Sequence, residues 1–61
     1  MSTAIIEVQT QGGTWMRIGD CSAAPETINA VMVSNARSNP QWKKFRAIDA
    51  QTKQLLDMQF F

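Results

Sequence analysis

Histidine is absent from this 61-residue chain, and cysteine occurs once, at Cys21. An intrachain disulfide is thereby excluded. A lone thiol without imidazole partners cannot build a tetrahedral metal site either, so no metal and no cofactor are expected. General acid–base chemistry loses its commonest residue as well. The remaining acids, Glu7, Asp20, Glu26, Asp49 and Asp57, are scattered rather than paired. Charge of one sign is also lacking: six basic and five acidic residues leave a formal +1. No strong field therefore steers the chain toward nucleic acid or a membrane surface. No apolar run approaches the roughly 20 residues that span a bilayer. The first residues, Met1-Ser2-Thr3-Ala4, lack the basic start and apolar stretch of a signal peptide, so a reducing, cytoplasmic setting is expected.

A hydrophobic fraction of 44% argues for a folded domain rather than a disordered one. The length allows one domain, residues 1–61. A chain this short buries only about 60% of its unfolded surface, so it needs support. With disulfides and metal excluded, an efficient core, self-association or both remain as support, and a homodimer is expected.

Four stretches carry strand patterns. In residues 4–10, the β-branched Ile5, Ile6 and Val8 are interleaved with Glu7 and Gln9. Residues 14–21 return after a turn at Gln11-Gly12-Gly13. A two-residue loop would mix the faces, setting Val8 against Arg17. A three-residue loop pairs Val8 with Met16 and Ile6 with Ile18, and it suits a type I turn with a left-handed glycine. Residues 41–49 alternate again, and residues 54–60 return after a loop at 50–53. There the pairs Ala47–Leu56 and Phe45–Met58 keep one face apolar. The same register sets Ile48 against Leu55 and Arg46 against Asp57, an opposite-charge pair worth about 0.2–1 kcal/mol.

Between the hairpins, Pro25 and Glu26 suit a first helical turn, with Ser22 a candidate N-cap. Ile28, Val31, Met32, Asn35 and Ala36 share one helical face over residues 25–37, and Pro40 ends the run. The order is strand, strand, helix, strand, strand: an α+β, ββαββ domain with a four-stranded antiparallel sheet and one helix on one face. The expected core is Ile6, Val8, Met16, Ile18, Phe45, Ala47, Leu56, Met58 and Phe60 beneath Ile28, Val31 and Met32.

The other sheet face would then carry Ile5, Glu7, Gln9, Trp15, Arg17, Lys44, Arg46, Ile48, Leu55, Asp57 and Gln59. Tryptophan and arginine beside exposed aliphatics are the types enriched at binding hot spots. Trp15, Arg17, Arg46, Ile48 and Leu55 are therefore the candidate protein-interface residues. An alternative is a single-stranded nucleic-acid surface of Trp15, Arg17, Trp42, Lys43, Lys44 and Arg46, with aromatics to stack bases and cations to hold phosphates. Against it, the net charge gives no basic footprint, and Trp42 reads equally as a packing residue at the helix-to-strand corner.

No catalytic residues are expected. A thiol near a helix N-terminus can be activated, yet Cys21 has no base and sits beside Asp20. It reads as a small buried hydrophobe. Gly12-Gly13 joins two strands rather than opening a helix, so it is a turn and not a phosphate loop.

Two stretches carry a resemblance: Gly12-Gly13-Thr14-Trp15 in the first hairpin, and Phe45-Arg46-Ala47-Ile48-Asp49-Ala50-Gln51-Thr52-Lys53 in the second. The latter is similar to a hairpin spelled aromatic-Arg-x-aliphatic-Asp-x-x-Thr-Gly, with Lys53 in place of the glycine. In outline the chain resembles the small ββαββ accessory proteins of bacteriophages and mobile elements. That resemblance implies a non-enzymatic interaction protein, acting by binding a host protein or as a small oligomeric subunit. It carries no active motif, and fold alone does not fix function.

Overall fold

The computed structural model describes residues 2–61. Five elements follow in the expected order: β1 Thr3–Gln9, β2 Trp15–Ser22, α1 Pro25–Ser38, β3 Lys44–Asp49 and β4 Leu55–Phe60. The strands form one antiparallel sheet in the order β2-β1-β3-β4. The first strand of each hairpin thus lies inside, and the hairpins join through β1 and β3. The α+β ββαββ arrangement is as the sequence implies.

The first turn has the geometry its glycines require. The Thr10 N–H donates to Thr14 O at 2.8 Å, and the Gly13 N–H donates to Thr10 O at 2.9 Å. Gly13 takes φ +86°, a left-handed conformation that costs a side-chain-bearing residue about 1–2 kcal/mol. Val8 consequently faces Met16. Beyond that pair a β-bulge intervenes: Ile6 faces Gly19, and the expected Ile6–Ile18 pair does not form. Ile18 is the extra residue. Its bulge returns Arg17 and Asp20, three residues apart, to the same face, where they form an ion pair at 3.0 Å.

The second hairpin also bulges, between Ala47 and Ile48. Ile48 faces Leu55 as expected, but Ala47 then faces Asp57, Arg46 faces Met58, and Phe45 faces Gln59. The expected pairs Ala47–Leu56, Phe45–Met58 and Arg46–Asp57 are therefore overturned. Because side chains alternate, this one-residue step exchanges the faces of β4. Met58 and Phe60 stand on the open face, while Asp57 and Gln59 point to the helix side.

The strand limits shift too. Trp42 and Lys43 precede β3 rather than belonging to it. Ser22 is not the N-cap: Ala24 holds that position, and the Ser22 hydroxyl accepts the Ala24 N–H at a long 3.4 Å.

The core consists of Ala4, Ile6, Val8, Ile28, Met32, Phe45 and Ala47, with Ile18, Val31, Ala36 and Trp42 packed around it. Phe45 is fully enclosed, meeting Trp42 and Phe61 edge-to-face at centroid distances of 6.3 and 5.4 Å. Four expected core residues lie elsewhere. Met16, Leu56 and Phe60 are exposed, and Met58 is half-buried on the other face. The position of the helix explains part of this. It packs chiefly over β2 and β1, so the helix side of β4 is lined by polar residues rather than core. There the Gln59 side-chain amide donates to Asn29 Oδ1 at 2.9 Å and to Asp57 Oδ2 at 3.1 Å.

Candidate interaction surface

The open sheet face is built from alternate residues of all four strands. Trp15 and Arg17 come from β2, Ile5 and Glu7 from β1, Lys44, Arg46 and Ile48 from β3, and Leu55, Met58 and Phe60 from β4. All five expected interface residues, Trp15, Arg17, Arg46, Ile48 and Leu55, share this face. Asp57 and Gln59 leave it, and Met58 and Phe60 replace them. That exchange makes its β4 side more apolar than the alternating pattern implies.

Two electrostatic regimes divide the surface. On the β2 side, the Arg46 side chain crosses over β1. Its guanidinium donates to Glu7 Oε1 at 2.6 Å and lies 4.2 Å from the Trp15 ring centroid. Lys44 lies between two aromatics, 5.8 Å from the ring of Trp15 and 5.2 Å from that of Phe60. Such cation–π contacts contribute about 0.5–1 kcal/mol each at exposed sites. Trp15 is only half-exposed as a result. On the β4 side, Leu55 is 56% exposed and Phe60 69%. Apart from Lys44 over Phe60, that flank is aliphatic and aromatic.

The six residues of the nucleic-acid alternative do not form one surface. Trp15, Arg17, Lys44 and Arg46 are on the open face, whereas Trp42 packs against Phe45 in the core layer. Arg46 is neutralised by Glu7, Arg17 by Asp20, and the Trp15 ring is already covered by a cation.

Cys21 is half-buried, and its thiol is pushed up in pKa by burial and, secondarily, by the neighbouring Asp20 carboxylate. A thiol so shifted stays protonated near neutrality, the opposite of an activated nucleophile. Among the described residues no group of three or more His, Cys, Asp or Glu side chains could hold a metal ion, and no helix is long and apolar enough to cross a membrane. The outer side of α1 borders a wide depression of about 500 Å³, lined by Asn29, Ala30, Val33, Ser34, Arg37 and Ser38. It is open to solvent and contains neither an acid nor a nucleophilic thiol.

In the second turn, Asp49 is held by its own loop. Its Oδ1 accepts the N–H groups of Gln51 at 2.8 Å and Thr52 at 3.0 Å, which lowers its pKa below the ordinary carboxylate value. Lys53, standing where the resembled hairpin pattern has glycine, adopts φ +65°. The motif thus accounts for a turn rather than a site.

Sequence reasoning missed Met58 and Phe60 as surface residues. The Leu55-Leu56 doublet is the signal for it, since two consecutive apolar residues break strict alternation where the register shifts. No family model, no curated protein and no solved structure matches the chain.

Proposed function

We propose that this chain is a non-enzymatic protein-interaction module that works as a homodimer, associating through the apolar β4 side of its sheet. The observation that carries this reading is the grouping of Leu55, Met58 and Phe60 beside Ile48 on one face, with Leu55 and Phe60 more than half exposed. Large apolar side chains grouped on so small a surface mark association sites. The size of the domain adds to the argument. A standard interface of about 800 Å² per partner would cover roughly a fifth of its 3948 Å² surface, a large relative gain in burial. Met58 and Phe60 then lie in the contact with Leu55 beside them, while Trp15 and Arg46, on β2 and β3, stay outside it.

Light scattering across a hundredfold dilution tests the reading. A mass of two chains is expected, and Phe60→Lys should return it to one chain without changing the circular dichroism spectrum. A wild-type mass of one chain at every concentration would refute the homodimer.

A further inference from the structure

The sheet has two edges, and they differ in how well they are protected. Edge strands present unpaired backbone groups, and proteins guard them with bulges, charges and proline. On β2 the guard is complete: the Ile18 bulge and the Arg17–Asp20 ion pair occupy the middle of the strand. On β4 the bulge lies at the entry, at Leu56, and the four residues that follow, Asp57-Met58-Gln59-Phe60, contain one charge and no proline.

Backbone parity shows which groups of β4 face outward. The Phe61 N–H donates to Lys43 O at 2.7 Å, so Phe61 points its backbone polar groups at β3. By alternation Gln59 and Asp57 do the same, and those of Met58 and Phe60 point away from the sheet. A second observation agrees: the Met58 N–H bonds not to β3 but to the Asp57 carboxylate, at 2.9 Å.

We infer that β4 pairs antiparallel with β4 of a second copy, in a register centred on Met58, to form a continuous eight-stranded sheet. The inference rests on the homodimer reading and specifies its geometry. Outward-facing residues must meet outward-facing residues, which excludes every register that pairs an even position with an odd one. Among the allowed registers, centring on Asp57 sets two carboxylates directly opposite, which is repulsive. Centring on Gln59 shortens the overlap. Centring on Met58 places Asp57 across from Gln59 of the second copy, a hydrogen-bonding match. It also places Met58 on its own equivalent and brings Phe60 beside the bulge residue Leu56, which is itself 41% exposed. The pattern is self-complementary on both faces, as a twofold axis requires. The carboxylate now on the Met58 N–H acts as a placeholder, replaced by the Met58 carbonyl of the second copy.

Met58→Pro tests this directly. Proline is tolerated on an edge strand where its nitrogen faces outward, so no ladder bond to β3 is lost. By the twofold axis it removes both central intermolecular hydrogen bonds. Dimer affinity should fall at least tenfold, with the amide NMR spectrum of the remaining residues retained. In a Cys21→Ser background, Met58→Cys should form an interchain disulfide under mild oxidation, whereas Arg17→Cys on the opposite edge should not. A folded Met58→Pro variant that remains dimeric would overturn the register while leaving homodimerisation in place. If Met58→Pro fails to fold, failure of Met58→Cys to cross-link a dimeric protein would overturn it equally. A wild-type mass above two chains would overturn the closed pairing. A wild-type protein that is monomeric throughout would remove the homodimer reading and the register together.

Discussion

Arg46 on β3 covers the ring of Trp15 on β2 at 4.2 Å, reaching across the strand that separates them. Glu7 on that intervening strand holds the guanidinium at 2.6 Å, so three strands are tied by one side chain. The arrangement is partly shielded, with side-chain exposures of 29% for Arg46 and 17% for Glu7. It should therefore matter more than the exposed Arg17–Asp20 pair. Glu7→Gln is expected to destabilise the fold by about 1–2 kcal/mol, as for loss of a charged hydrogen-bond partner. Arg17→Ala should stay within about 0.5 kcal/mol, as exposed ion pairs do. Urea unfolding of the two variants beside the wild type gives the comparison, and equal effects would argue against the shielded triad.

The two left-handed turn residues should respond in opposite ways. Gly13→Ala places a Cβ at φ +86° and should cost about 1–2 kcal/mol. Lys53→Gly removes one at φ +65°, and after the added chain entropy of glycine should stabilise by up to about 1 kcal/mol. Thermal melts of both variants decide the matter. A destabilised Lys53→Gly would mean that the lysine side chain contributes more than its backbone strain removes.

Asp49 gives the fold a specific acid sensitivity. Its folded pKa lies below the ordinary value, chiefly because of the Thr52 and Gln51 backbone N–H groups. The stability it contributes is therefore present above the unfolded pKa and is lost as pH falls through the folded one. Asp49→Asn keeps a side-chain acceptor but cannot titrate. The stability gap between wild type and this variant should be widest near neutrality and should close on acidification. A gap that stays constant with pH would detach the turn from the titration.

Cys21 should be a slow thiol. Burial and the Asp20 charge both favour its protonated form, so alkylation by iodoacetamide near neutral pH should lag behind that of an unstructured cysteine peptide. Asp20→Asn should recover part of the difference and denaturant all of it. Alkylation as fast as in the peptide would contradict the shifted pKa.

The sequence was most informative where local chemistry is strong. The glycine turn set the three-residue loop and the Val8–Met16 pair, and helical spacing identified Ile28 and Met32 as the buried stripe. Alternation placed Ile6, Val8, Phe45 and Ala47 correctly in the core. It failed beyond each bulge, because one inserted residue reverses parity without changing composition. Gly19 within a strand was a hint at the first bulge, since glycine in that setting often marks one. In β4 the error reached the surface. Strict alternation puts Asp57 and Gln59 on the open face and Met58 and Phe60 in the core, and the bulge exchanges them. Burial alone could not correct this, because the helix lies chiefly over β2 and β1 and leaves the last strand with two partly solvated sides. Of the candidate interface, the five residues upstream of the second bulge or at its edge were legible, and the two beyond it were not.

The strand order carries a consequence for how the chain is made. β1 is a central strand whose inner partner β3 follows much later, with Glu7 and Arg46 separated by 39 residues. At about 5–20 residues per second, a ribosome would release β1 roughly 2–8 s before that partner. During this interval the first hairpin can pair only as a two-stranded ribbon, marginal in water by itself, with Ile6 and Val8 lacking the strand and much of the core that cover them in the finished fold. The bulge and ion pair on β2 guard the outer edge of that nascent ribbon throughout the wait, leaving β1 as the one side open to its late-arriving partner.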